Sequence, residues 1–475
     1  MATLSYEAPP TVDTLDSRPW WKQLTGYHWL VFIVASAAWF FDCLDQRLFS
    51  LARIPALASL MAPHGMAALP PSDVHVQAFG KVVTAYFLVG WGVGGLFFGP
   101  LGDKFGRTRM LTLTILIYSV FTGLSFFSVG RWDFTTFRFF TGLGVGGVFG
   151  LAVSLIAETV PSGARPHALG MLQVLSSIGN LTAGFVKKLL DTLATSNVIA
   201  PGRSWRFMFL VGALPALMVV ATMFFIREPE PWLRLKAQGL LPKGGLLAPY
   251  LTLLRSKRWR YNLVIGTLIA ATGVVGLWAI GEYAVDLQRA VFHDYFAARL
   301  SSEAQVKAAV DNAITWAYIW NMLGAAAGMW IFTKVAALIG RRIAFLFGFS
   351  ATLIVTFLVF WKMDSPYEAY WMMPLLGAAQ LSVFAGFAIY LPELFPSGER
   401  STGTSFCYNL GRFAAAGGSF FSSMLTQKVF AGYSPPGHPS PAPLRYSAMV
   451  MCSIFLIGLL TLPFAPETKG KALPE

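Results

Sequence analysis

Charge is scarce in this sequence. Only 12% of its 475 residues are Asp, Glu, Lys or Arg, while 55% are apolar, and mean hydropathy is +0.58. Soluble domains carry roughly 25% charged residues. A chain so poor in charge cannot solvate a soluble surface, so a lipid bilayer has to cover most of its outside. Cysteine is scarcer still: Cys43, Cys407 and Cys452 lie in apolar stretches without CxxC or metal-type spacing and read as small packing residues. The six histidines do not cluster, and H-E-x-x-H, G-x-S-x-G and P-loop motifs are missing. No enzyme and no metal or organic cofactor is therefore expected. A cleavable signal pattern is also lacking, so the first span is expected to stay as an anchor with the N-terminus in the cytoplasm.

What the sequence does contain is long apolar stretches. They occur near 28–50, 79–101, 110–129, 134–157, 167–189, 205–226, 262–286, 314–337, 343–361, 370–392, 402–426 and 446–464, and each can cross a membrane as a helix. The fold class expected is an all-α membrane protein of twelve spans. The formal net charge of +13 could suggest a nucleic-acid binder, but the basic residues sit in short loops between spans. Alternating sides from the inside, cytoplasmic segments hold about twenty Lys and Arg and external ones about eleven, as the positive-inside rule requires. The densest group, Arg227, Arg234, Lys236, Lys243, Arg255, Lys257, Arg258 and Arg260, joins spans six and seven and reads as a solvated or headgroup-facing linker. The external segments 63–78, 287–313 and 433–445 are polar or Pro-rich and read as connectors.

A repeat organises the chain. "ETVPSGAR" at 158–165 returns as "ELFPSGER" at 393–400, and Gly106-Arg107 returns as Gly340-Arg341, each pair following the second span of its half. Two related halves in parallel orientation follow, with substrate expected near midplane where they meet. The expected division is an N-terminal tail 1–27, a first half 28–226, a linker 227–261, a second half 262–464 and a C-terminal tail 465–475.

"GPLGDKFGRTR" at 99–109 joins spans two and three. Its glycines permit a tight turn, and its charges can pair with neighbouring helix ends. Gly99, Asp103, Lys104, Gly106, Arg107 and Arg109 resemble the loop 2–3 signature of the major facilitator superfamily, and with the repeat the resemblance covers nearly the whole chain. It implies two pseudo-symmetric six-helix bundles working by alternating access. It also implies an interdomain gate built from this loop, with Glu158 and Arg165 in the partner positions after span four. In the second half "TKVAALIGRR" at 333–342 lacks the Asp, so the second gate is expected to be weaker or to lean on Glu393 with Arg341, Arg342 and Arg400.

Gly142, Gly144 and Gly147 formally match G-x-G-x-x-G. A dinucleotide site would need a βαβ unit, so close helix packing through small residues is the reading preferred.

Charges within spans are the sharpest functional signal, because an ionised side chain at mid-bilayer costs roughly 2.5–3.5 kcal/mol on insertion scales. Asp42, Asp45 and Arg47 lie in span one, and Arg138 opens span four. Counting at about 1.5 Å per residue, both aspartates fall some 20–25 Å along span one, at a depth similar to Arg138. An Asp–Arg pair across the cavity is expected, either exchanging partners as a proton arrives or standing as a permanent salt bridge. "FDCLDQRLF" at 41–49 and "CYNLGRFAAAGG" at 407–418, with Asn409 and Arg412, resemble aromatic-acid and related organic-acid proton symporters of the superfamily. Arg412 would then be a fixed cation for a substrate carboxylate. Further cavity candidates are Gln173, Asn180, Asn321, Gln380, Trp278 and Tyr283. Arg138, "EPEPWLRLKAQG" at 228–239 and "PETKGKALPE" at 466–475 also resemble sugar porters, but span seven lacks their Gln-Gln and Asn pattern.

The expected function is proton-coupled symport of a small carboxylate, aromatic or otherwise. Proton-coupled sugar or sugar-acid symport is the alternative, and a non-transporting sensor the remote one. The expected partners are lipid, a small solute and protons, with no nucleic acid. The expected setting is a monomer in a plasma membrane, the bacterial inner membrane first, with both termini cytoplasmic.

Overall fold

The computed structural model describes residues 18–63, 68–70, 73–200, 202–215, 222, 225–242, 244–433 and 441–474. The tail before residue 18, Lys243 of the linker, and residues 64–67, 71–72 and 434–440 of the connectors lie outside them.

Ten helices among the described residues are long and apolar enough to cross a membrane: Gly26–Leu60, Ala78–Phe105, Arg107–Phe127, Arg131–Thr159, Arg165–Thr195, Lys257–Ala297, Glu303–Leu338, Arg341–Lys362, Pro366–Glu393 and Ala442–Phe464. They are spans one to five, seven to ten and twelve. Span six, described from Ser204 to Val211, and the more polar span eleven, Arg400–Met424, complete a twelve-helix membrane fold.

The helices outrun the apolar stretches because their ends are capped in water. Asp73 accepts the backbone N–H groups of His75 and Val76 at the start of span two, and Ser365 forms a capping box with Glu368 at the start of span ten. These side chains satisfy orphan N–H groups that would otherwise end the helix sooner. Span seven runs to Ala297 and span eight starts at Glu303, so the expected connector 287–313 is mostly a helical hairpin. Short helices Glu230–Ala237 and Ala248–Arg255 occupy the linker.

Glycine sets the closest helix contacts. A Cβ on Gly90 or Gly94 of span two would collide with the backbone of Phe139 or Leu143, and one on Gly142 or Gly146 of span four with the backbone of Phe87 or Trp91. The same device recurs in the second half, where Gly324 and Gly328 of span eight meet the backbone of Pro374 and Ala378 in span ten. Small residues four apart let two backbones touch without a hydrophobic driving force from lipid. Gly144 and Gly147 face Tyr118 and Thr114 of span three, in keeping with the packing role read from sequence. Spans four and ten, gripped this way, are the most enclosed, while Ile33, Val89, Leu116, Phe185, Ile331, Phe347 and Leu460 point outward as a lipid-facing surface.

The halves meet along spans two and eleven and along spans five and eight. Gly92 faces Phe413, Gly99 would place a Cβ 3.0 Å from that of Ser405, and Gly170 abuts Thr333.

Gly94→Ala drives a methyl into the Leu143 backbone and should cost about 1–3 kcal/mol. Its thermal unfolding midpoint in detergent should fall clearly. Gly184→Ala, whose Cβ meets nothing within 4 Å, should leave the midpoint unchanged.

Candidate functional site

Two groups of polar residues lie on the seam between the halves. One is on the face that carries both described chain ends, called here the terminal face.

At the terminal face, span two breaks at Gly106, whose φ of 114° only glycine adopts readily, and Arg107 restarts the chain as span three. Asp103, in the last turn of span two, accepts from Ser401 N at 3.1 Å, Thr402 N at 2.8 Å and Thr402 Oγ1 at 2.6 Å. A carboxylate of the first half thus caps the N-terminus of span eleven in the second. Arg107 pairs with Asp103 and Glu158, each at 3.1 Å, and donates to the Ser397 carbonyl across the seam. Arg400 reaches Glu158 at 2.7 Å and donates to the Pro474 carbonyl at 2.8 Å.

The second half carries the related pair, Arg341 bidentate on Glu393 at 2.7 and 3.0 Å. The sequence reading grouped Arg342 and Arg400 with Glu393, and the structure corrects both. Arg342 bonds the carbonyls of Leu462 and Pro463, and Arg400 crosses to the other half. Lys104 bonds the Gly244 carbonyl of the linker at 2.8 Å. Arg109 is exposed, and its backbone N–H donates to Glu228 at 3.1 Å. Arg165, half-buried at the start of span five, lies within electrostatic reach of Glu393 and Glu158, with no partner on its Nε.

Two loop carboxylates show how this face handles charge. Glu467 caps span nine, accepting from the N–H groups of Arg341 and Arg342 at 3.0 Å. Burial opposes its ionisation, but four backbone N–H donors outweigh that and hold its carboxyl below the usual range. Burial instead pushes Glu399 up to about 7, reinforced by the Asp103 charge and opposed by Arg107.

The second group sits deeper. Arg138, 0% exposed, has Asp45 at 3.6 Å and donates to Ser125 Oγ at 2.9 Å. Phe209 and Phe49 face its guanidinium at 4.7 and 5.7 Å. The expected Asp–Arg pair is thus present, but it lies inside the first half, among spans one, three, four and six, and does not cross the cavity. Asp42 takes a different direction. It accepts from Gln46 at 3.1 Å and is within electrostatic reach of Arg412 of the second half. Arg47 turns away to the Tyr318 ring of span eight, 4.0 Å from its centroid.

Arg412 is 7% exposed. Its guanidinium lies 3.7 Å over Trp91 and 4.6 Å over Tyr408, and its Nε and Nη1 have no hydrogen-bond partner among the described residues. Trp278, on a π turn at Gly276–Ile280, packs edge-on to Trp91 at 6.0 Å. Tyr408 stacks on Phe149 at 3.8 Å and meets Trp39 at 6.4 Å, and Trp39 donates its indole N–H to Gln173 at 3.0 Å. Asn409 bonds the carbonyls of Ser405 and Gly146.

The other cavity candidates are engaged elsewhere. Asn180 bonds the Ser176 carbonyl one turn back in its own helix, and Tyr283 meets Thr426 at 3.3 Å. Asn321 ties span eight to the Met373 carbonyl of span ten, and Gln380 ties span ten to Thr356 of span nine. Sequence reasoning missed Trp91 and Tyr408. Uncharged aromatics in apolar spans raise no signal singly, although Tyr408 precedes Arg412 by one helical turn, the spacing of same-face neighbours.

The family model described as "Sugar (and other) transporter" matches residues 46–242 and 256–475. The chain belongs to that family and, with it, to the major facilitator superfamily. A Haemophilus influenzae protein named for metabolite transport is 28% identical over 95% of this chain and 99% of its own. The cis,cis-muconate transport protein of Acinetobacter baylyi is 28% identical over 70% of this chain and 75% of its own. Among solved structures, the proton:xylose symporter XylE of E. coli superposes with a TM-score of 0.72 at 19% identity, covering 94% of this chain and 98% of that one. At that identity the likeness concerns the fold. The protein is a multi-pass integral membrane transporter of small solutes and not an enzyme.

Removing a buried partner from an ion pair costs about 3–5 kcal/mol, so Glu158→Gln should part the terminal face. Spin labels on Ser162→Cys and Ile339→Cys, exposed positions in opposite halves, should then report longer distances. Glu399 adds a pH dependence. The joined face binds this proton more tightly than solvent would, so the joining is fullest below about 4.5 and is lost as pH rises through about 7. Label distances should lengthen between pH 5 and 8, and Glu399→Gln should remove that share of the change.

Proposed function

We propose that the protein is a secondary active transporter carrying a small organic carboxylate, aromatic or otherwise conjugated, in symport with protons by alternating access. The observation that carries this reading is Arg412: a buried guanidinium on the seam, flanked by aromatic rings, with two unpartnered nitrogens and Asp42 in electrostatic reach. An arginine so placed suits a planar carboxylate, which satisfies the free donors by charge-assisted hydrogen bonds. The Acinetobacter relative named for cis,cis-muconate transport supports the same class.

In this reading Asp42 is the coupling carboxylate. While ionised it partly neutralises Arg412 and competes with an incoming anion. Once protonated it leaves the guanidinium to the substrate. Asp45 and Arg138 form the adjoining pair inside the first half, through which a proton on span one alters the packing of spans four and six. Asp103, Arg107, Glu158 and Arg400, joined across the seam, serve as the inner gate, with the Arg341–Glu393 pair bracing the second half beside it. The moving bodies are 28–226 and 262–464, the terminal face is cytoplasmic in a bacterial inner membrane, and the working unit is a monomer.

Uptake of labelled carboxylates and sugars into proteoliposomes, with and without an inward proton gradient, tests this. Gradient-driven accumulation of a carboxylate is expected, and accumulation of a neutral sugar alone would replace this reading with sugar symport. Arg412→Gln should weaken carboxylate affinity roughly 10- to 100-fold, the range of charge-assisted hydrogen bonds. Asp42→Asn should abolish gradient-driven accumulation while preserving carboxylate counterflow between equal pools. Unchanged accumulation in Asp42→Asn would remove it from coupling.

A further inference from the structure

Trp91 has the geometry of a substrate-contacting residue that no motif singled out. It is 1% exposed, the Arg412 guanidinium lies over its ring at 3.7 Å, and its one polar side-chain atom, Nε1, has no hydrogen-bond partner among the described residues. A buried indole N–H normally finds an acceptor, and one left without it costs about 1–3 kcal/mol. Orphaned groups of this kind in a well-packed region call for an explanation.

Trp91 is not alone. Gln173, 2% exposed, accepts from Trp39 through its oxygen but leaves its Nε2 donor without a partner. Trp39 reaches Arg412 through Tyr408, so Gln173, Trp39, Tyr408, Arg412 and Trp91 form one continuous chain of contacts across the seam. Within that chain of contacts the atoms without a partner among the described residues are Arg412 Nε and Nη1, Trp91 Nε1 and Gln173 Nε2, and every one is a donor. Asp42 Oδ1, also unpartnered, becomes a donor site when its carboxyl takes up a proton. A carboxylate on Arg412 satisfies the guanidinium alone, and the Trp91 N–H, on the ring that the guanidinium covers, calls for a further oxygen acceptor.

We propose that Trp91 is a specificity-determining residue that donates its indole N–H to a second oxygen acceptor on the planar carboxylate held by Arg412, with Gln173 a further donor at the other end of the same chain of contacts. The site therefore selects acceptor-rich planar acids, such as hydroxy, oxo or dicarboxylic acids, over a plain aromatic monocarboxylate. A donor-lined site rejects the analogue lacking its acceptor more sharply than an apolar pocket does, because the unmatched polar group stays unpaired. This rests on the carboxylate reading above and sharpens it.

Binding to the purified full-length protein, read by calorimetry, tests the proposal with benzoate, the three hydroxybenzoates and the three benzenedicarboxylates as probes. Wild type should bind at least one acceptor-bearing acid roughly tenfold or more tightly than benzoate, the scale of one or two net hydrogen bonds. Trp91→Phe keeps a ring over the guanidinium and deletes the N–H, so it should bring that preference to within about twofold. Should Trp91→Phe fail to fold, 3-benzothienylalanine at position 91 keeps the indole shape without its donor and should give the same collapse. Gln173→Leu should lower the preference for the same isomer. Carboxylate binding with the preference intact in the donor-deleted protein, or with benzoate preferred by wild type, overturns this inference and leaves the carboxylate reading standing. Binding of no acid in the panel by a folded protein that binds xylose or phosphate overturns both.

Discussion

Inside a bilayer no water is available to satisfy a stray charge or backbone group, and the architecture follows from where this chain puts the few charges it has. Each span keeps its backbone bonds internal. Among the described residues, buried ionisable side chains lie where protein surrounds them, either inside a bundle, as with Asp45 and Arg138, or on the seam, as with Arg412 and the Asp103 cluster. The seam has to be both polar enough to receive a solute and tight enough to close. Glycine makes the tightness possible, since Gly95, Gly99, Gly102 and Gly150 let span eleven settle against spans two and four where a Cβ on any of them would crowd Asn409, Ser405 or Ser401.

The two charged groups on the seam differ in kind. The terminal-face cluster is tied directly across the seam: Asp103 receives three hydrogen bonds from the opposite half, and Glu158 is shared between Arg107 and Arg400. Such a set favours one arrangement of the halves. In the deeper group, donors at Arg412, Trp91 and Gln173 lack acceptors among the described residues, and Asp42 Oδ1, both Asp45 oxygens and Asn409 Oδ1 lack hydrogen-bond donors. A transporter needs both properties, a joint that holds when nothing is bound and a site whose satisfaction depends on something arriving.

Much of this was legible in the sequence, because bilayer spans and repeated loop motifs rest on composition and spacing, which tertiary context does not override. Depth was legible too: counting rise along span one placed its aspartates level with Arg138. Azimuth was not. Asp42 and Asp45 are three residues apart, about 60° around the helix at 100° per residue. That turn sends one toward Arg412 of the other half and the other into the interior of its own. Internal repetition misled in one respect. The likeness of 158–165 and 393–400 suggests that each half closes its own charge pair, whereas Arg400 leaves Glu393 to Arg341 and takes Glu158 instead. The second half has no acid at the Asp103 position, and the ion pair that joins the halves uses Glu158 of the first half. Neutral aromatics such as Trp91 stay silent in a chain already rich in them.

The short turns at Gly106 and Gly340 carry one further consequence. Each glycine has a positive φ, of 114° and 140°, and each lies where a Cβ would run into the carboxylate, Glu228 or Glu467, that caps the helix it begins. The positive φ alone strains any side chain there, and the collision, with the far end of a flexible acid, adds a smaller and physically independent cost. Shortening the acid would clear the space but leave the backbone strain, and relaxing the backbone would still leave the collision. No single compensating change elsewhere in the chain therefore makes another residue acceptable at these two positions. Over evolutionary drift they should behave as fixed points around which the rest of each half is free to vary, while the acids that cap them vary with the helix ends they serve.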